Sequence, residues 1–458
     1  MKQLRLYLII IIPLLAATVA VLYWGNGTHA SAEASTASFS INHMLQGAFH
    51  TPLATVLMQL IVILFAAKGM GWLFNKIGQQ AVMGEIVAGI MLGPSLLGLV
   101  APEVSHVLFP KESLTYLNIL SQLGLLIFMF VIGMELDIDS IRARFGESMV
   151  ISHTSIALPF FLGVGFAYFS YQKFGNSDSG FVAYSLFMGI AMSITAFPVL
   201  ARILKERGMT SSPLGSMALM CAAIDDVTAW CILPVVVAIT KAETMTGVGV
   251  TIILTIAFVC LMIFAVKPVL EGYYRRQTDR GKGKMTGIEF ISIAIFLHLA
   301  SALVAEIIGI HALFGAFIAG AVMPGSKELR HNLTERLEAI SVNMLLPIFF
   351  VLTGLRTSIS MLSDISLWPV FAGILFLAVA GKLFGGAAAA RISGLSWRDS
   401  LSIGTLMNTR GLMELIVLNI GYDLKVLKPE IFTMMVFMAL VTTFMTAPLL
   451  NLIERRKA

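Results

Sequence analysis

From Thr51 onward the chain alternates apolar runs of about twenty residues with short polar or charged connections. Such a run is about the length an α-helix needs to cross a ~30 Å hydrocarbon core. Thirteen can be placed, centred near residues 64, 91, 124, 160, 193, 226, 258, 298, 318, 348, 380, 410 and 441, with the eighth and ninth joined tightly through Gly309-Ile310-His311. The pattern predicts an all-α polytopic membrane protein with about thirteen transmembrane helices. Composition agrees: 57% of the 458 residues are apolar and 12% charged, with a mean hydropathy of +0.88, whereas soluble domains carry about 25% charged residues.

The charged connections orient the spans. If the first starts outside, the inside connections hold 20 basic residues, including Arg202, Lys205, Arg207, six between Lys267 and Lys284, and Arg455, Arg456 and Lys457. The outside connections hold six: Lys111, Lys173, Lys241, Arg356, Lys425 and Lys428. The positive-inside rule then predicts N-out, C-in. At the start, Lys2 and Arg5 precede an apolar stretch to about Trp24, and Ala30-Ser31-Ala32 has the small-x-small form of a signal-peptidase site. Residues 1–32 read either as a signal peptide or as an extra transmembrane helix. Residues 33–50 follow as an extracytoplasmic linker, 51–453 as the membrane domain and 454–458 as a cytoplasmic tail. The net charge of +5 resides largely in membrane-flanking connections, and no nucleic-acid partner is expected.

Ionisable residues inside the spans are costly, roughly 2.5–3.5 kcal/mol each at the bilayer centre on insertion scales. Those left after the loops are assigned are Lys68, Glu85, Asp225, Asp226, Glu306, Lys382, Arg410 and Glu414. Lys68, Glu85 and Glu306 lie near span ends or Gly-rich turns and read as snorkelling or structural pairs. Arg410 and Glu414, four apart on one helix, can pair with each other, or belong to a helix interruption at Asn408-Thr409-Arg410-Gly411. Asp225, Asp226 and Lys382 are mid-span. Neighbouring helical residues point about 100° apart, which suggests one carboxylate facing Lys382 on another helix and the other facing a hydrated cavity.

Two spans carry signs of a break. Pro198 lacks an N–H and disfavours α conformation at Phe197, so the fifth span should open near Ser193-Ile194-Thr195-Ala196. Gly411 with polar Asn408 and Thr409 marks the counterpart in the twelfth. Interrupted helices in the two halves of a transporter point to a binding site at the midplane. Carbonyls from the breaks, a Thr hydroxyl and a carboxylate would form an oxygen site suited to Na⁺ or K⁺. The three cysteines lie inside apolar runs and read as small core residues. The eight histidines show no HExxH or Cys/His spacing for a transition metal.

The motifs GEIVAGIMLGPSLLG (84–98), SITAFPVLARIL (193–204), AAIDDVTAW (222–230), HALFGAFIAGAVMP (311–324), LPIFFVLTGLRTSI (346–359) and NTRGLMELIVLNIG (408–421) occur in order. Together they resemble the cation:proton antiporter-2 family, nearest in wording to plant cation/H⁺ exchangers and their bacterial relatives. The resemblance spans about residues 51–453. It implies the sodium/proton antiporter fold, with inverted repeats and two crossed discontinuous helices, a homodimer in membrane lipid, and a bacterial inner-membrane location. It also implies that Asp226 and Asp225 together bind the monovalent cation and protons, with Asp226 the main carboxylate and Asp225 paired with Lys382, and that Thr195 and Ser193 at the first break belong to the same ion site. A member with both aspartates is expected to be electrogenic, exchanging two protons per cation. The family's glutathione-gated branch has Gln before Asp and a nucleotide-binding domain, and this sequence departs from it.

The activity so implied is antiport of a monovalent cation, Na⁺ or K⁺, against protons, with no cofactor and no enzymatic step. The alternatives are a proton- or sodium-coupled carrier of an organic solute on a related fold, and an intramembrane aspartyl protease. A protease needs two carboxyls sharing a proton; adjacent helical residues diverge, and no second mid-span acid lies in a GxGD setting.

Overall fold

A computed structural model describes residues 51–135, 145–176, 179–209, 212–241, 245–279, 287–324, 327–359 and 364–455. The expected leader at 1–32 and linker at 33–50 lie outside the described residues, as do 456–458 of the expected tail. The chain divides after Leu57, and residues 58–458 form one compact unit, to which the contacts below belong.

No strand occurs among the described residues. Their helices include α1 (Pro52–Lys76), α2 (Ala81–Leu92), α3 (Lys111–Glu135), α4 (Phe145–Phe174), α5 (Gly180–Ser193), α6 (Phe197–Glu206), α7 (Pro213–Lys241), α8 (Met245–Leu261), α9 (Gly287–Ile308), α10 (Ala312–Ala321), α11 (Leu346–Arg356), α12 (Trp368–Val379), α13 (Gly385–Ile392), α14 (Trp397–Met407), α15 (Leu412–Asp423) and α16 (Pro429–Arg455). Several join through single π-helical turns into longer rods, as α12 and α13 do through Ala380–Phe384.

Among the described residues ten helical segments are long and apolar enough to cross a membrane, and each covers one of the expected centres. The other three expected spans are not single long helices. The fifth is α5 and α6 end to end, and the twelfth is α14 and α15. The ninth, α10, has ten residues, about 15 Å at 1.5 Å per residue, too short to cross alone. The thirteen expected centres all fall on or between described helices, but thirteen crossings are not confirmed: ten segments are long enough to cross. Both breaks fall where the sequence places them. Pro198 is the second residue of α6, a first-turn position where its missing N–H costs nothing.

Lipid is as apolar as the side chains, so helices in a membrane associate by close packing at small residues. A Cβ on Gly320 of α10 would lie 2.0 Å from the Phe130 carbonyl oxygen of α3, and one on Gly133 would lie 2.1 Å from that of Phe317. Gly89 of α2 and Gly354 of α11 meet in the same way, their added carbons falling 2.2 Å from the Val351 oxygen and 2.4 Å from the Ile86 oxygen. These four glycines set backbone-to-backbone contacts that no larger residue permits. The main buried cluster runs from Ile86 and Met129 through Phe187, Trp230 and Phe317 to Leu418 and Met435. A second surrounds α6, with Leu200, Ala222, Met407 and Leu450.

Candidate functional site

The two helix breaks meet. The Ala196 N–H, freed where α5 ends, donates to the Thr409 carbonyl at 3.0 Å. A Cβ on Gly411 would lie 2.7 Å from Val199 Cγ2 and 3.3 Å from Ala196 Cβ. Glycine at 411 therefore lets the second break cross the first at van der Waals distance.

Asp225, on α7, is wholly buried and ionically paired to Lys382, Nζ to Oδ2 3.0 Å. The ammonium also donates to Thr195 Oγ1 at 2.6 Å and Ser155 Oγ at 3.2 Å. An ammonium has three N–H donors, and all three have acceptors here. Thr195 Oγ1 lies 2.6 Å from Asp225 Oδ2 and 2.9 Å from the Met407 carbonyl, and its single proton can go to either. Ser152 donates to Asp225 Oδ1. Lys382 sits on the π-helical turn Ala380–Phe384, whose preceding surface is opened by Gly381: a Cβ there would lie 2.8 Å from Pro159 Cβ. That close approach of α4 brings its serines to the ion pair.

Asp226, the next residue, has a different environment. It is 7% exposed, and the Phe197 backbone N–H at the start of α6 bonds its carboxyl. Its Oδ1 has no hydrogen-bond partner among the described residues. The same holds for Asn408 Oδ1 and Nδ2 and Thr409 Oγ1 at the second break. Buried polar atoms normally find partners, so these atoms are the ones at the crossing that the described protein groups leave with bonding capacity.

Arg410 serves the break. Its guanidinium donates to the carbonyls of Ala191 and Met192 at 2.8 and 2.7 Å and pairs with Glu414 at 3.3 Å, both side chains buried. The carbonyls at the end of α5 have lost their helical donors, and a cation at a helix C-terminus also suits the dipole. Thr443 of α16 accepts from the Arg410 N–H at 3.0 Å and donates to its carbonyl at 2.8 Å. The sequence offered an Arg410–Glu414 pair and a helix interruption as alternatives, and both are present.

Ser193 donates to the Ile190 carbonyl of its own helix at 2.9 Å and closes that helix end. Lys68 reaches Asn343 at 3.4 Å from an exposed position. Glu306, half exposed near the end of α9, pairs with Lys241 at 3.1 Å and accepts from the N–H of Ala312, the first residue of α10, at 2.9 Å. Glu85 is buried in α2. Among the described residues no His, Cys, Asp and Glu group gathers as a multivalent metal site.

Sequence reasoning missed Ser152, Ser155 and Thr443. The available signal was the pair of serines three apart in ISHTSIALPF (151–160), which share a face of α4 two turns from its N-terminus.

The profile of a family described as sodium/hydrogen exchanger, transmembrane, matches residues 60–452. A Na⁺/H⁺ antiporter, NhaS4, of Synechocystis is 39% identical over 87% of this chain and 96% of its own length. Cation/H⁺ antiporter 19 of Arabidopsis thaliana is 36% identical over 88% of this chain and 50% of its own. K⁺/H⁺ antiporter 1 of Saccharomyces cerevisiae is 32% identical over 88% and 47%. The chain thus spans about half the length of the plant and yeast relatives. The solved sodium proton antiporter MjNhaP1 of Methanocaldococcus jannaschii shares the fold, with a TM-score of 0.60 at 13% identity over 87% of this chain and 96% of that one. With nearly the whole membrane domain matched, this chain belongs to the transmembrane sodium/hydrogen exchanger family.

Proposed function

We propose that the protein exchanges a monovalent cation for protons by alternating access, with Na⁺ the first candidate and K⁺ the second, and with Asp226 as the carboxylate for which cation and proton compete. The observation that carries this reading is the asymmetry of two adjacent acids. Asp225 is closed by Lys382, Thr195 and Ser152, while Asp226 Oδ1 lies unpartnered where two broken helices meet. A protonated carboxyl holds a cation poorly and an ionised one holds it well, so a single group can carry either load but not both. Thr195, Asn408 and Thr409 supply further oxygens, and Arg410 with Glu414 keeps the break open. The cations are cargo, and no resident cofactor or enzymatic step is proposed. The relatives named above are cation/proton antiporters, and the organic-solute alternative has no counterpart among them.

The excess of basic residues on one set of connections supports an N-out, C-in mature chain, which we place in a bacterial inner membrane. Most residues in the most apolar stretch of the span that includes α8 are unburied in one chain, and we assign that face to lipid and to a second copy in a homodimer. Exchange is proposed to be electrogenic, with two protons per cation.

The test uses inside-out vesicles carrying a respiration-generated ΔpH, to which Na⁺, Li⁺, K⁺ or choline is added. Cation-dependent ΔpH dissipation in the parent, lost in Asp226→Asn, is the expected result and names the ion. Equal signals from both proteins, or none with any cation, would overturn the reading.

A further inference from the structure

Away from the helix crossing, the ends of three helices enclose a cavity of about 330 Å³. Its lining is Lys173 and Phe174 at the end of α4, Asp364 and Leu367 at the turn before α12, and Lys428 and Glu430 at the start of α16. Phe174 and Leu367 are buried apolar walls; the other four residues bring two positive and two negative charges. Lys428 donates one N–H to the Lys173 carbonyl at 3.4 Å, and the Lys173 ammonium stands 5.3 Å from the centre of the Phe174 ring. An ammonium has three donors, so most of these are unspent. Among the described residues no salt bridge joins either lysine to either carboxylate. Asp364 Oδ1 accepts from the Ser366 N–H at 2.9 Å and caps the turn. Glu430, in the first turn of α16, suits the helix dipole there, yet its Oε2 is buried and has no partner among the described residues. Such an oxygen calls for an N–H donor. Beside the cavity, Ile365 and Trp368 are 83% and 51% exposed, and tryptophan collects where a helix meets the membrane surface.

We propose that this cavity holds the headgroup of phosphatidylethanolamine, with the phosphate between Lys173 and Lys428 and the primary ammonium on Glu430 and Asp364. The balance of charge matches a zwitterion. Phosphatidylglycerol offers no cation to the two carboxylates, and the quaternary ammonium of phosphatidylcholine has no N–H for Glu430 Oε2. The exposed Ile365 and Trp368 favour a lipid over a free phosphoethanolamine, because acyl chains cover them. In the orientation proposed above the lipid belongs to the outer leaflet. Its headgroup ties α4, which carries Ser152 and Ser155, to α12, which runs on into the turn bearing Lys382. The lipid thus braces, from outside, the two helices that meet at the buried ion pair. This inference is independent of the exchange reading.

In the test, the purified full chain is stripped of lipid in detergent. It is then titrated with phosphatidylethanolamine, phosphatidylcholine or phosphatidylglycerol of the same acyl chains, and bound copies are counted by native mass spectrometry. The parent should hold one phosphatidylethanolamine about tenfold more tightly than either other lipid, the worth of one hydrogen bond to a charged group. Glu430→Gln should erase that preference, and Glu430→Lys should turn it toward phosphatidylglycerol, a reversal that a merely structural glutamate would not produce. Lys173→Gln with Lys428→Gln should weaken phosphatidylethanolamine binding about tenfold, and this double variant carries the test if the Glu430 variants do not fold. Lys111→Gln, on another outside connection, should bind as the parent does. Equal binding of the three lipids to the parent overturns the proposal, as does a preference that survives in Glu430→Gln or in the lysine double variant. Displacement of the lipid by an equal concentration of water-soluble glycerophosphoethanolamine also overturns it, because the occupant would then be a free solute.

Discussion

Lys382→Met separates the worth of the buried ion pair from the worth of its helices. In the parent, three N–H donors meet three acceptors, at 2.6, 3.0 and 3.2 Å, with no exposed surface on either charged group. Methionine is of similar length and leaves Asp225 as a buried carboxylate without a counter-charge. Breaking a buried pair from one side costs about 3–5 kcal/mol. Asp225 keeps the Ser152 hydroxyl and can claim the Thr195 proton, each worth about 1 kcal/mol net, so the loss should sit near ~3 kcal/mol. Asp225→Asn alone strands the ammonium and should cost a similar amount. In the double variant both charges are gone and the amide oxygen still accepts from Ser152, so stability should return to within ~1 kcal/mol of the parent, because replacing a buried pair outright is often neutral. Dodecyl sulfate unfolding of the purified protein from mixed micelles, followed by tryptophan fluorescence, reads all four corners of this cycle. If the single variants lie within ~1 kcal/mol of the parent, or the double equals the sum of the singles, the pair does not hold the two helices as described.

Three further outcomes are expected. Asp226→Asn should abolish exchange while unfolding like the parent, because its Oδ1 holds nothing in the fold; marked destabilisation would mean that Asp226 is structural. Arg410→Lys should lose ~1.5–3 kcal/mol in the same assay, because one ammonium cannot cover both the Ala191 and Met192 carbonyls that the guanidinium spans. Gly320→Ala, whose added methyl would sit 2.0 Å from the Phe130 oxygen, should cost about 1–3 kcal/mol by overpacking and show first as reduced yield of folded protein.

The parts of the fold legible in the sequence are those with a local cause. Run length marked the spans, Pro198 and Gly411 marked the breaks, and the rarity of charge in a membrane singled out Asp225, Asp226 and Lys382. The length of α10 was not legible, because apolar residues continue through its ends into Val322 and Met323 and hydropathy does not register where a helix stops. Ser152 and Ser155 were not legible either. A serine in a membrane helix can satisfy itself on a carbonyl of its own preceding turn, so its presence carries little cost and attracts no notice. What distinguishes these two is that α4 approaches Gly381 closely enough to spend their hydroxyls on another helix, which only the packing reveals. Arg410 lies between these cases. Its partner four residues on was readable, whereas its claim on the carbonyls of α5 depends on two breaks more than 200 residues apart meeting in space.

The pairing pattern also bears on leakage. Lys382 cancels Asp225 and Arg410 cancels Glu414, each within 3.3 Å, which leaves Asp226 as the unbalanced charge of the site. With Na⁺, K⁺ or one proton aboard, the moving body is neutral and can traverse the low-dielectric slab. Unloaded, it carries one net negative charge, whose transfer out of water is expensive. If Asp226 carries the cargo as proposed, the return stroke without cargo is the costly one, and electrostatics would guard a membrane gradient against slippage. Under the proposed exchange of two protons per cation, the second proton would come from the Lys382–Asp225 pair, and membrane voltage would be felt at that buried bond.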